Sequence, residues 1–140
     1  MLIFAKLFLK IVNDNMRIKY FWKPILWLGI ICYGLFMPAS NIPAKPFSHI
    51  PHLDKIVHFV LFFVFCLLLF LPLKKLNLKH YYFAPLLAFI LGGLLESIQR
   101  QVSTSRSSDI NDFIANTLGI IAATLFFGAF VSNRKWEKLF

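Results

Sequence analysis

Four stretches of the chain are almost free of polar residues: Phe21 to Met37, Ile56 to Leu73, Tyr81 to Ile98 and Phe113 to Val131, each 17 to 19 residues long. A continuous apolar run of about 17 to 25 residues is the length a helix needs to cross a bilayer, and an unpaired backbone in lipid leaves the helix as the only open-ended solution. The pattern therefore predicts an all-α membrane protein, a bundle of four transmembrane helices in a single domain spanning residues 1–140. The first run is the weakest, because Lys23 and Pro24 stand near its start and the uninterrupted core, Ile25 to Met37, is short. With Pro38-Ala39-Ser40 behind it, that run also has the outline of a secretory signal, a reading ranked second because the basic stretch ahead of it is long. Residues 1–20 are mostly apolar at the start, with Lys6 and Lys10 one helical turn apart, and are expected to lie along the cytoplasmic interface.

Composition agrees with lipid as the solvent. The chain is 59% hydrophobic and 15% charged, and its mean hydropathy is +0.70, well beyond an ordinary soluble domain. The net charge of +9 would point a soluble protein towards nucleic acid, but its distribution gives a different account. Eleven of the fifteen Lys and Arg residues fall before or at the very start of the first run, between the second and third, or after the fourth. By the positive-inside rule these segments face the cytoplasm, and with them both termini. Four of the six acids, Asp54, Glu96, Asp109 and Asp112, fall on the other side. No nucleic-acid partner is expected, and the basicity reads as a signal of topology and of lipid headgroups. Cys32 and Cys66 lie inside apolar runs, without a metal-ligand spacing, and read as packing residues.

The chemistry gathers at the outer ends of the last three runs. Asp54 and His58 stand at i, i+4 with Lys55 beside them. A capping Asp54, a snorkelling Lys55 and a His58 bonded to a neighbouring helix would explain that group without function. Ala88, Gly92 and Glu96 share one narrow face of the third run, so Glu96 is expected to point at protein, with Gln99 next and Arg100 as its nearest partner. In the fourth run, Asp109, Asp112, Asn116, Gly119 and Ala123 form one stripe that changes from anionic to amide to small with depth. Its deep part reads as a packing surface, on which Gly119→Leu would be disruptive, whereas a bulky replacement of Phe127 is expected to be tolerated. A cap at Ser108 or Asp109 explains one acid but neither Asn116 nor the basic loop carrying Arg106. Convergence of three helices favours one shared polar pocket built from Asp54, Lys55, His58, Glu96, Gln99, Arg100, Arg106, Asp109, Asp112 and Asn116.

These residues resemble the VanZ-like family of small bacterial membrane proteins, named after a teicoplanin-resistance protein. The matching elements are Asp54-Lys55-x-x-His58, Glu96-x-x-Gln99 and Arg106-x-x-Asp109-x-x-Asp112-x-x-x-Asn116-x-x-Gly119, which run over about half the chain. The resemblance implies a four-helix plasma-membrane protein with these residues near the extracytoplasmic face. It also implies an association of one member with reduced glycopeptide sensitivity, and it brings no settled reaction.

Three functions compete on the residues. The preferred one is a binding module whose pocket engages an envelope lipid, a cell-wall precursor lipid, a glycopeptide-related ligand or another membrane protein. The alternative is a membrane-embedded hydrolase or transferase with His58 and Glu96 as candidate acid and base, although no nucleophile signature accompanies them. A transporter ranks third, because no charge lies at mid-span. No cofactor is expected. A metal held by His58, Glu96, Asp109 and Asp112 is chemically feasible but has no H-E-x-x-H spacing to support it, so no metal site is assigned.

Overall fold

The computed structural model describes residues 18–36, 52–102 and 110–139, and among these every regular element is helical. A 3₁₀ turn, Ile18–Phe21, leads into α1, Trp22–Phe36. Then come α2, Leu53–Lys75, α3, His80–Val102, and α4, Ile110–Phe126. The last of these continues through a π-helical turn, Phe127–Val131, to a terminal 3₁₀ helix, Lys135–Leu139.

Three helices are long and apolar enough to cross a membrane: Leu53–Lys75, His80–Gln101 and Ile110–Val131. The first apolar run behaves differently from the other three. At 15 residues and 1.5 Å per residue, α1 covers about 22 Å, short of the roughly 30 Å of a hydrocarbon core. The described residues thus hold three spanning helices and a fourth, shorter one. Pro24 is buried in the first turn of α1, where the missing amide hydrogen costs no intrahelical bond.

The core forms where the aromatic face of α2 meets its neighbours. Phe62, Phe65, Cys66, Phe70 and Leu73 of α2 are buried with Ala84 and Ala88 of α3, Ile120 and Ala123 of α4 and Phe127 of the π turn. Tyr33, Leu94, Leu118 and Leu125 are more than half exposed, as an apolar rim facing lipid requires. Small residues set the distances between helices. A Cβ placed on Gly119 would stand 2.3 Å from the carbonyl oxygen of Phe59 and 3.1 Å from the amide nitrogen of Phe63. The backbones of α2 and α4 therefore touch there, which no other residue type permits. At Gly92 the neighbour is instead the Phe62 ring, at 3.1 Å. The packing role of Gly119 and Ala123 is thus as expected. Phe127 is more constrained than its sequence setting indicates: fully buried, it stacks on Phe70 with ring centroids 4.2 Å apart and an interplanar angle of 10°.

Side-chain bonds pin α1 to this core. Trp27 Nε1 donates to the Leu61 carbonyl of α2 at 2.9 Å, and Gln99 Nε2 of α3 donates to the Leu35 carbonyl at 3.1 Å. The lower end of the bundle is closed by polar residues. Asn77 adopts a left-handed φ of 55° after α2, and the amides of Asn77 and Leu78 return to the Lys74 and Leu73 carbonyls, satisfying the last turn as a Schellman cap. Lys74 donates to Asn133 Oδ1 at 3.0 Å and to Glu137 Oε1 at 2.6 Å, while Glu137 Oε2 accepts from the Asn133 amide at 2.9 Å. Burial raises the Glu137 carboxyl, but donation from Lys74 and the Asn133 amide outweighs it and holds the group below its ordinary value of 4.5. Lys75 lies 4.1 Å over the Tyr20 ring, so the start of the described chain docks at the same basic end.

Candidate functional site

The polar residues at the other end sort into two groups. The first lies between α2 and α4. His58, one turn inside α2, is 3% exposed, and Asn116 on the facing side of α4 is 2% exposed. His58 Nδ1 and Asn116 Oδ1 stand 3.1 Å apart. An amide oxygen only accepts, so in this arrangement Nδ1 carries a proton, and in the neutral imidazole the lone pair then sits on Nε2. One turn nearer the rim, Asp112 is 5% exposed and its Oδ1 lies 3.5 Å from Lys55 Nζ. This is an ion contact without hydrogen-bond geometry, since the same buried Oδ1 accepts no hydrogen bond. Asp54, exposed in the first turn of α2, completes the group: one oxygen from each acid and one His58 ring nitrogen lie within 4.8 Å of one another.

The local sequence explains this arrangement. The i, i+4 spacing of Asp54 and His58 stacks them on one face of α2, and the 4-residue step from Asp112 to Asn116 does the same on α4. Backbone contact at Gly119, one turn below, brings the two faces together. Asp54 and Asp112 also sit in the first turns of their helices, where the N-terminal dipole favours anions.

The second group lies between α3 and α4. Glu96 is 4% exposed, and among the described residues neither of its oxygens accepts a hydrogen bond. It lines a cleft of about 200 Å³ with Gly93, Ser97, Arg100, Ile110 and Phe113. The expected pairing of Glu96 with Arg100 is therefore not a hydrogen-bonded one, although Arg100 shares the cleft. Ser97 Oγ donates to the Gly93 carbonyl at 2.7 Å, so its hydroxyl is engaged within its own helix.

Ten residues are expected in one pocket, and the structure distributes them. Asp54, Lys55, His58, Asp112 and Asn116 come together; Glu96 and Arg100 share the neighbouring cleft and are not part of the tight group. Gln99, buried, serves as a strut to α1 through Leu35, with its Oε1 left without a hydrogen-bond donor. Arg106 and Asp109 lie outside the described residues, as does the Ser108 cap. Among the described residues the close set of possible metal donors is Asp54, His58 and Asp112; Glu96, weighed as a donor from the sequence, is not among them. Sequence reading also missed Gly93 and Phe113 as walls of the cleft, for which the Gly92-Gly93 pair is a weak signal of close approach.

A bundle of apolar helices with a buried ionisable rim at one end and a basic rim at the other is an integral membrane protein. The chain belongs to the VanZ/LLP1 family, whose model matches residues 4–131. No curated protein and no solved structure is significantly similar to it.

Proposed function

We propose that this protein is a multi-pass component of the bacterial plasma membrane, its basic end cytoplasmic, whose outer end binds the polar headgroup of an envelope lipid, cell-wall precursor lipids included. The observation that carries this reading is Glu96: a carboxylate 4% exposed, with neither oxygen hydrogen-bonded, on the wall of a cleft that also presents Arg100. Burying an acceptor without a donor costs roughly 1 to 3 kcal/mol, and more when it is charged. A ligand that brings hydroxyl or amine donors to Glu96 and a phosphate to Arg100 relieves that cost, and a phospholipid or glycolipid-phosphate headgroup has both. A local, fully bonded ion pair would have given no such support.

The hydrolase or transferase reading finds less support. His58 and Glu96 belong to different groups, and the Ser97 hydroxyl is held by a backbone carbonyl.

Binding of phosphatidylethanolamine, phosphatidylglycerol and a polyprenyl phosphate to the purified protein in nanodiscs tests the proposal. Glu96→Gln is expected to weaken the preferred headgroup by roughly tenfold, about the 1.4 kcal/mol of one charged hydrogen bond, with a melting temperature no lower than the parent's. Equal binding by the parent and Glu96→Gln would remove the pocket's role.

A further inference from the structure

We propose that Asp54, His58 and Asp112 form a binding site for one divalent transition-metal ion between the outer ends of α2 and α4. This site goes beyond the headgroup reading and uses different residues. Its three donor atoms lie within 4.8 Å of one another. Donors about 2.0 to 2.2 Å from a common ion stand roughly 3 Å apart, so side-chain adjustments of about an ångström close the group onto an ion.

Clusters of exposed acids are ordinary surface features, but here two of the three donors are buried, His58 at 3% and Asp112 at 5% exposure. Two further observations point to a cation. Asp112 Oδ1 is buried and accepts no hydrogen bond; the Lys55 ammonium approaches it only to 3.5 Å. His58 Nδ1 is bonded to Asn116 Oδ1 at 3.1 Å, an arrangement that, in the neutral imidazole, puts the proton on that nitrogen and leaves Nε2 as the ligating atom. This is how a ligating imidazole is oriented by its outer partner. Asn116 thereby acquires a reason to lie inside an apolar span, which capping does not give it.

The donor chemistry selects the ion. One imidazole and two carboxylates suit Mn²⁺, Fe²⁺ or Zn²⁺ rather than the all-oxygen preference of Ca²⁺ and Mg²⁺. Two carboxylates and one ammonium leave the group with a net negative charge, so a dication is attracted. Lys55 is one-third exposed on its side chain and stands at the rim of the group. Three protein donors leave coordination positions for water or a phosphate oxygen.

The test uses the full-length protein in detergent, its purification tag removed and its metals stripped with chelator. It is titrated with MnCl₂ alone, free Mn²⁺ being read from its electron paramagnetic resonance signal, with ZnCl₂ as competitor. One Mn²⁺ per chain, displaced by Zn²⁺, is expected. His58→Gln and Asp112→Asn should each weaken binding at least tenfold, and Asn116→Leu by roughly 10- to 100-fold through loss of the orienting partner. Lys55→Met should bind more tightly. Should a buried substitution prevent folding, Asp54→Asn at the exposed rim carries the same expectation of weakened binding. Absence of saturable binding at millimolar Mn²⁺, or binding that the His58, Asp112 and Asp54 variants leave unchanged, overturns the site. No lipid ligand is present in the titration, so its outcome is independent of the headgroup reading.

Discussion

Single residues in this protein are constrained most where backbone meets backbone. At Gly119 even one methyl group falls 2.3 Å from a main-chain oxygen, and a carbonyl cannot rotate away as a side chain can. Gly119→Ala is therefore expected to cost about 3 kcal/mol, the upper part of the usual overpacking range. At Gly29, where a Cβ meets nothing within 4 Å, alanine should be neutral or stabilising by up to about 1 kcal/mol. Thermal melts of the two variants in the same detergent check the contrast; equal melting temperatures would contradict the close approach. The neighbouring Asn116 and His58 follow the same logic one turn higher, since two buried polar groups are tolerated because each satisfies the other.

At the scale of elements, the spans were largely legible because lipid allows few alternatives: α2 and α3 extend their apolar runs by a few residues at each end, and α4 starts three residues before its run and reaches the end of it, Val131, through the π turn. Legible too were the inward faces of Glu96 and of the Asp112, Asn116, Gly119 and Ala123 stripe, since helical spacing defines a face. Spacing does not define which neighbour a face meets. Hence Asp54 reads as a helix-start charge until α4 brings Asp112 beside it, and Gln99 reads as part of a pocket until α1 places the Leu35 carbonyl in its reach. The π turn after Phe126 and the docking of Lys135–Leu139 left no periodic signal at all. That last element supplies a test. Glu137, held below its ordinary value, contributes stability that is fully present above about pH 4.5 and is lost as the pH falls through its lowered value in the folded protein. A spin label on exposed Lys138 should accordingly gain mobility below that pH, while Glu137→Gln should be mobile already at neutral pH. A tail equally immobile in both proteins would show that Lys74 and Asn133 do not hold it.

The whole molecule is polarised. Lys19, Lys23, Lys74, Lys75, Lys79, Arg134, Lys135 and Lys138 mark one end of the bundle, and Asp54, Glu96 and Asp112 the other. The proposed orientation follows from this contrast. In a variant lacking Cys32 and Cys66, an impermeant maleimide should label Gln101→Cys in intact cells and Lys79→Cys only after permeabilisation. The opposite pattern would turn the acidic end towards the cytoplasm and remove it from the reach of envelope ligands. The family match over residues 4–131 sets the membrane class without deciding this direction.

The contact at Gly119 also has a mechanical consequence. Because α2 and α4 meet through main-chain atoms, the pair behaves as a fixed jaw, and the Asp54, His58, Asp112 and Asn116 group is built on it. Against that jaw, α3 rests through rings: Phe62 faces Gly92, and Phe113 lies 3.6 Å from where a Cβ on Gly93 would stand. Rings can turn or slide where a backbone cannot, so compliance is concentrated between α3 and α4. A tilt of α3 would widen or narrow the cleft at Glu96 while leaving the geometry of the α2–α4 group unchanged.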